Sequence, residues 1–224
     1  ALVVAGLATG SLPVGLAGWL LVPVTVGLAL LPLPLVRRLG VQPGTGGLGV
    51  VFGNVAYLGL PVVEALLGAE AMDTAALLVG LHVALSMTVG PWLVAADAPE
   101  GRAVVPGRLL RQPLLWSPFV GLALRALPSE VGQTAAALLG PLGRSAGPVA
   151  LFLLGLYLHG ERRRLARMDV AAWVHVLAKG VWAPTVTGLC LVVLVGGGQV
   201  DLETARVAWL LSAMPPAVTT FSIA

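Results

Sequence analysis

The sequence predicts an all-α polytopic membrane protein with two broken spans arranged as an inverted repeat, and three observations carry that fold class. Of 224 residues, 58% are hydrophobic and 10% charged, with a mean hydropathy of +0.96, whereas soluble domains carry roughly 25% charged residues. Apolar stretches of the roughly 20 residues needed to cross a bilayer recur between short charged segments. Two of these stretches are interrupted, by FGNVAYLGLP at 52–61 and by SAMPPAVTT at 212–220. Proline lacks an amide hydrogen and presses on the carbonyl four residues back, and glycine loosens the turns beside it. Backbone groups freed in this way at membrane depth are tolerated only where protein or water satisfies them.

In chain order, residues 15–36 make the first full span, closed by Arg37 and Arg38. Residues 47–67 form the first broken span and lead into the acidic segment 68–73. Residues 74–94 span next and end in a loop, 95–112, that holds Arg102, Arg108 and Arg111. Residues 113–127 are a short span. In 129–157, Pro141, Gly143, Arg144 and Pro148 interrupt the apolar run, so a surface helix followed by a span from about Ser145 is expected. An arginine-rich segment, 161–167, comes next; 170–195 spans again, 196–203 is a polar turn, and the second broken span starts at Thr204. The start at Ala1 inside an apolar stretch and the stop at Ala224 after the second break read as a fragment, with 1–12 the end of a spanning helix.

The net charge of +3, from 13 Lys+Arg against 10 Asp+Glu, says less here than where the charges fall. The ends carrying Arg37 and Arg38, then Arg102, Arg108 and Arg111, then Arg162, Arg163, Arg164 and Arg167 share one side when the spans alternate, and that side is expected to be cytoplasmic, with Arg125 and Arg206 as exceptions on the other; the basic balance is no argument for nucleic acid. The two breaks lie an odd number of spans apart, five, so the broken helices run in opposite directions. Spacing agrees: 46 residues separate Gly15 from Pro61, and 45 separate Val170 from Pro215. Cys190 is the single cysteine, which leaves no internal disulfide and no Cys-based metal site. GTGGLG at 44–49 fits a dinucleotide-binding pattern, but it sits between membrane spans without a preceding strand and is rejected. His82, His159 and His175 form no metal-ligand cluster and no HExxH pair occurs, so no cofactor or metal and no enzymatic activity is expected.

GNVAYLGLP at 53–61, LRQPLLWSP at 110–118, GPVALFLLGLYL at 147–158 and MPPAVTTFSIA at 214–224, in this order over nearly the whole chain, resemble the bacterial branch of the auxin efflux carrier family. The resemblance implies ten helices in two inverted five-helix repeats, with the fourth and ninth broken and crossing near the membrane centre. Residues 1–94 would then belong to the N-terminal repeat, 95–112 to a cytoplasmic loop and 113–224 to the C-terminal repeat, with the first helix, most of the second and the tenth missing. It also implies a secondary transporter in the cell membrane that moves a small organic anion, of the malate or malonate type, by alternating access. A membrane scaffold whose breaks are packing kinks is the other reading. One departure is that Thr219 and Thr220 stand where the family often has an asparagine after the ninth-helix proline.

Asn54 is the first candidate for substrate contact, since its amide offers one acceptor and two donors; helix cross-linking is the alternative. Gly53, Gly59, Pro61, Pro215 and Pro216 would shape the site, and Thr219 and Thr220 would line it. His82, four residues from Ser86, reads as a satisfied buried imidazole or a proton relay. Lys179 reads as an anion-attracting cation or a side chain that snorkels to the surface. The expected partners are the organic anion, the lipid bilayer, a coupling proton or sodium ion, and a second copy of the chain in a homodimer.

Overall fold

The protein was analysed as a computed structural model, which describes residues 16–31, 43–95, 113–160 and 170–217, together with residues 4, 34, 38, 111 and 162. The elements are α1 (Leu16–Ala29), α2 (Pro43–Val51), a π turn (Val55–Gly59), α3 (Leu60–Leu67), a 3₁₀ turn (Ala69–Ala71), α4 (Met72–Ala95), α5 (Pro113–Arg125), α6 (Ser129–Gly160), α7 (Val170–Leu177), a second π turn (Ala178–Trp182), α8 (Ala183–Gly196) and α9 (Leu202–Ser212). Apart from one isolated bridge, no strand occurs among the described residues. Among the described residues, three helices are long and apolar enough to cross a membrane: Ala69–Leu93, Ser129–Gly160 and Ala172–Gly196.

α4 is the centre of the bundle. It packs on α1, α2, α3, α5 and α9, and α8 closes the opposite side against α1 and α9. Leu77, Leu78 and Val79 of α4 are fully buried with Leu21 of α1, Leu48 of α2, Leu60 and Val63 of α3, and Val207 of α9. α6 lies at the edge, where Leu138, Leu142, Phe152 and Leu153 are exposed. An apolar helix whose large side chains face outward is what lipid in place of water permits.

α6 corrects the sequence expectation for 129–157: it is one continuous 32-residue helix with Pro141 and Pro148 inside it, not a surface helix followed by a span. A proline removes one ladder bond and bends a helix. In lipid, where the chain must satisfy its own backbone, the remaining bonds keep it helical.

Both π turns have the same cause. Pro61 and Pro184 each stand second in the α-helix that succeeds such a turn. The residue before each proline closes an i→i+5 bond, from Leu60 N to Val55 O and from Ala183 N to Ala178 O. The widened turn carries the chain past the carbonyl that the pyrrolidine ring would otherwise strike.

Candidate functional site

α2 ends at Val51, and Phe52, Gly53 and Asn54 leave the helix before the π turn begins. Their main chain pairs with the segment just after α9. Gly53 and Pro216 form an antiparallel bridge, flanked by Asn54 N donating to Pro215 O at 2.7 Å and Ala217 N donating to Phe52 O at 2.8 Å. Buried backbone groups need partners, and each unwound segment supplies the other's. The bridge also leaves few donors to satisfy, because Pro215 and Pro216 have no N–H.

Asn54 is held at the start of the π turn. Its carbonyl accepts from Leu58 N at 3.2 Å and Gly59 N at 3.0 Å. Its side chain caps nothing, is 3% exposed, and its Oδ1 has no partner. The neighbouring glycines allow the close approach: a Cβ on Gly53 would lie 3.2 Å from Lys179 Nζ and 3.5 Å from Leu211 O, and one on Gly59 would lie 2.7 Å from Leu211 Cδ2.

Two cavities of about 50 Å³ flank this pairing, each large enough for ordered water. One is lined by Phe52, Gly53, Asn54, Val55 and Tyr57 with His82 and Ser86 of α4. Three of its lining residues carry a buried polar atom without a partner: Asn54 Oδ1, His82 Nε2 and Ser86 Oγ. The other is lined by Thr25, Lys179, Thr187, Ser212 and apolar residues of α1 and α9, and again by His82. His82 therefore stands between the two, its ring edge-on to Phe52 with centroids 6.5 Å apart and planes at 75°.

Lys179 lies in the second π turn and is 5% exposed, so its stem does not carry the charge out to a surface. Nζ donates to Ser212 O at 3.3 Å, at the C-terminal end of α9. A cation there meets an unpaired carbonyl and the negative end of the helix dipole. The same end is tied by Ser212 Oγ donating to Trp209 O at 2.6 Å and by Trp209 Nε1 donating to Pro184 O at 3.1 Å.

Of the candidates named from sequence, Gly53 and Asn54 line a cavity, Pro215 and Pro216 form the paired segment, and His82 and Lys179 face the same region from two other helices. Gly59 and Pro61 line neither cavity; Gly59 is a packing contact against α9, and Pro61 opens α3. Thr219 and Thr220 lie outside the described residues. Thr25 and Thr187 do not stand out in the sequence, Ser212 does so only as the first residue of the second break, and Ser86 only as a neighbour of His82. The available signal was a hydroxyl in an apolar span at helical spacing from an ionisable residue, Ser86 four after His82 and Thr187 eight after Lys179. Among the described residues no group of three His, Cys, Asp or Glu is placed to hold a metal.

Residues 100–224 match the family described as membrane transport protein. The chain is also 31% identical over 183 residues, 79% of its length, to a Rhizobium meliloti (strain 1021) protein named "Putative malonate transporter". This chain belongs to the membrane transport protein family. It is the auxin efflux carrier type that the four motifs resemble, and it is a membrane protein. The match covers 56% of the relative, so the chain spans about half the length of that transporter. No solved structure matches the chain. The family match contains Lys179 and the segment after α9, while Asn54 and His82 lie N-terminal to it.

Proposed function

We propose that the chain belongs to a multi-pass secondary transporter of the cell membrane that moves a small mono- or dicarboxylate, such as malonate, by alternating access and without changing it chemically. The pairing of two unwound segments between two cavities carries this reading. Pairing across short extended segments lets the helices on either side tilt about one point, and each cavity offers polar groups to an anion on its own side. In this reading α2 with α3, and α9 with the segment C-terminal to it, are the broken fourth and ninth helices of two inverted five-helix repeats. The arginine-bearing loops are then cytoplasmic.

Asn54 and Lys179 have the leading roles. The Asn54 main chain is already satisfied, so its amide is free to serve a ligand. Lys179 uses one of its three donors on Ser212 O, which leaves two for a carboxylate. The amino end of the π-turn helix Val55–Leu67 adds a partial positive charge beside Asn54.

Malonate binding and melting temperature measured on the same purified full-length variants test this. Asn54→Ala and Lys179→Met should each weaken binding about ten- to a hundredfold, the equivalent of about 1.5–3 kcal/mol for a hydrogen bond to a charged group. The melting temperature of Asn54→Ala should stay close to wild type. Normal binding with a lowered melting temperature would show that Asn54 only ties helices together.

A further inference from the structure

We propose that His82 carries one proton across the membrane with each anion. This rests on the reading of the paired segments as the transport site. Among the described residues, His82 is the ionisable side chain that lines both cavities, which is where a group must stand to exchange protons with one side and then the other. Its Nε2 is buried without a partner, as are Ser86 Oγ and Asn54 Oδ1 of residues that line one of these cavities with it. That cavity is large enough for a water, which would link the ring to solvent once that side opens.

The surroundings leave His82 as the group suited to the task. Among the described residues no Asp or Glu lines either cavity, and the other ionisable groups there are Tyr57 on one side and Lys179 on the other, each lining one cavity alone. An imidazole ring can take up a proton at one nitrogen and give it up from either. His175 of α7 lies against Gly49 of α2 and lines neither cavity. The same is true of Asp73 of α4 and of Glu64, Glu70, Arg125, Glu203 and Arg206 on the elements packed around it.

Coupling follows from charge. An imidazolium buried on the same side as the Lys179 ammonium is costly on its own, and a carboxylate entering between them offsets that cost. Proton and anion therefore load together. The Nε2 lone pair takes a proton from water on the open side, and after the access change the N–H returns it to water on the other side as the anion leaves.

The test uses full-length protein in proteoliposomes, with radiolabelled malonate, a pH dye inside and the membrane potential clamped. Wild type should acidify the interior by about one proton per malonate. An inside-alkaline gradient of one pH unit should hold about tenfold accumulation, since one coupled proton contributes a factor of 10 per unit. In His82→Gln the acidification and the gradient-driven accumulation should both vanish, and Ser86→Ala should slow proton entry. Malonate uptake by wild type without acidification would overturn the inference while the transport reading stands, and this arm does not depend on any variant folding. Acidification that persists in His82→Gln would also overturn it. Absence of both uptake and malonate exchange in wild type would sink the transport reading and the proton with it.

Discussion

The residues around 52–61 and helix α6 carry the same ingredients and end up differently. Each has glycines and prolines inside an apolar run: Gly53, Gly59 and Pro61 in one, and Gly140, Pro141, Gly143, Gly147 and Pro148 in the other. The first opens its helix for three residues, while α6 stays continuous through 32 residues. Composition therefore does not decide where a membrane helix unwinds. What differs is the neighbour: the opened backbone at 52–54 meets a second opened segment that takes its hydrogen bonds. α6 lies at the edge with its apolar side chains exposed, where freed groups would have found nothing.

The largest expected effect comes from forcing side chains into the two regions. Gly59→Val would drive its Cβ to 2.7 Å from Leu211 Cδ2, and Leu211 is itself buried and has little room to yield. Overpacking of this kind costs about 1–3 kcal/mol, so the melting temperature should fall clearly. Gly155→Val on α6 meets nothing within 4 Å and should stay within about 0.5 kcal/mol. Equal losses at the two positions would mean that α6 is packed as tightly as the paired segments.

Much of this was legible in the sequence. Hydropathy pointed to the three helices that are long enough to cross among the described residues, and Asn54 stood out as an amide beside proline and glycine in an apolar run, with helix cross-linking as its other reading. The pairing of Gly53 with Pro216 was not legible at residue level, because it joins positions far apart in the chain and periodicity reports only local structure. Lys179 was ambiguous for a related reason. Whether a lysine in a span snorkels or stays inside depends on a partner, and Ser212 O comes from another helix. The continuity of α6 is hidden from a reading of its prolines alone, because the cost of unpaired backbone in lipid decides whether the helix breaks.

Gly147→Ala probes the join between the two regions and should have a smaller effect. A Cβ on Gly147 would lie 3.0 Å from Tyr57 O and 3.4 Å from Pro61 Cγ. Tyr57 O is the carbonyl four residues before Pro61, which has no N–H to give it, and a backbone oxygen cannot rotate away. α6 must shift by a few tenths of an ångström, at the low end of the roughly 1–3 kcal/mol for overpacking. Gly140→Ala, whose nearest atom is Arg144 Nη2 at 3.7 Å, should be neutral or stabilising, since alanine favours a helix by about 1 kcal/mol over glycine. A melting temperature for Gly147→Ala at or above that of Gly140→Ala would show that α6 does not bear on the π turn.

The smallest effect is expected at the other end of α9, where the chain is held by an ordinary cap. Asp201 accepts from Thr204 N at 2.8 Å and from Thr204 Oγ1 at 2.7 Å. Burial alone would push its carboxyl up, but the bonds from Thr204 outweigh that and hold it below its ordinary value of 3.8. The folded state thus prefers the ionised form, so this contribution is fully present above about pH 4 and is lost as pH falls through the lowered folded value. Asp201→Asn keeps one oxygen to accept from Thr204 N, while its NH2 cannot accept from the Thr204 hydroxyl; the charge removed at the helix amino end is a loss of about 0.3–1 kcal/mol. Melting curves of wild type and Asp201→Asn should differ slightly at pH 7 and converge on acidification below pH 4. Curves that stay parallel down to the lowest accessible pH would show that the carboxylate charge is not what anchors this end of α9, leaving the Ser212–Lys179 contact at its far end as the main tie.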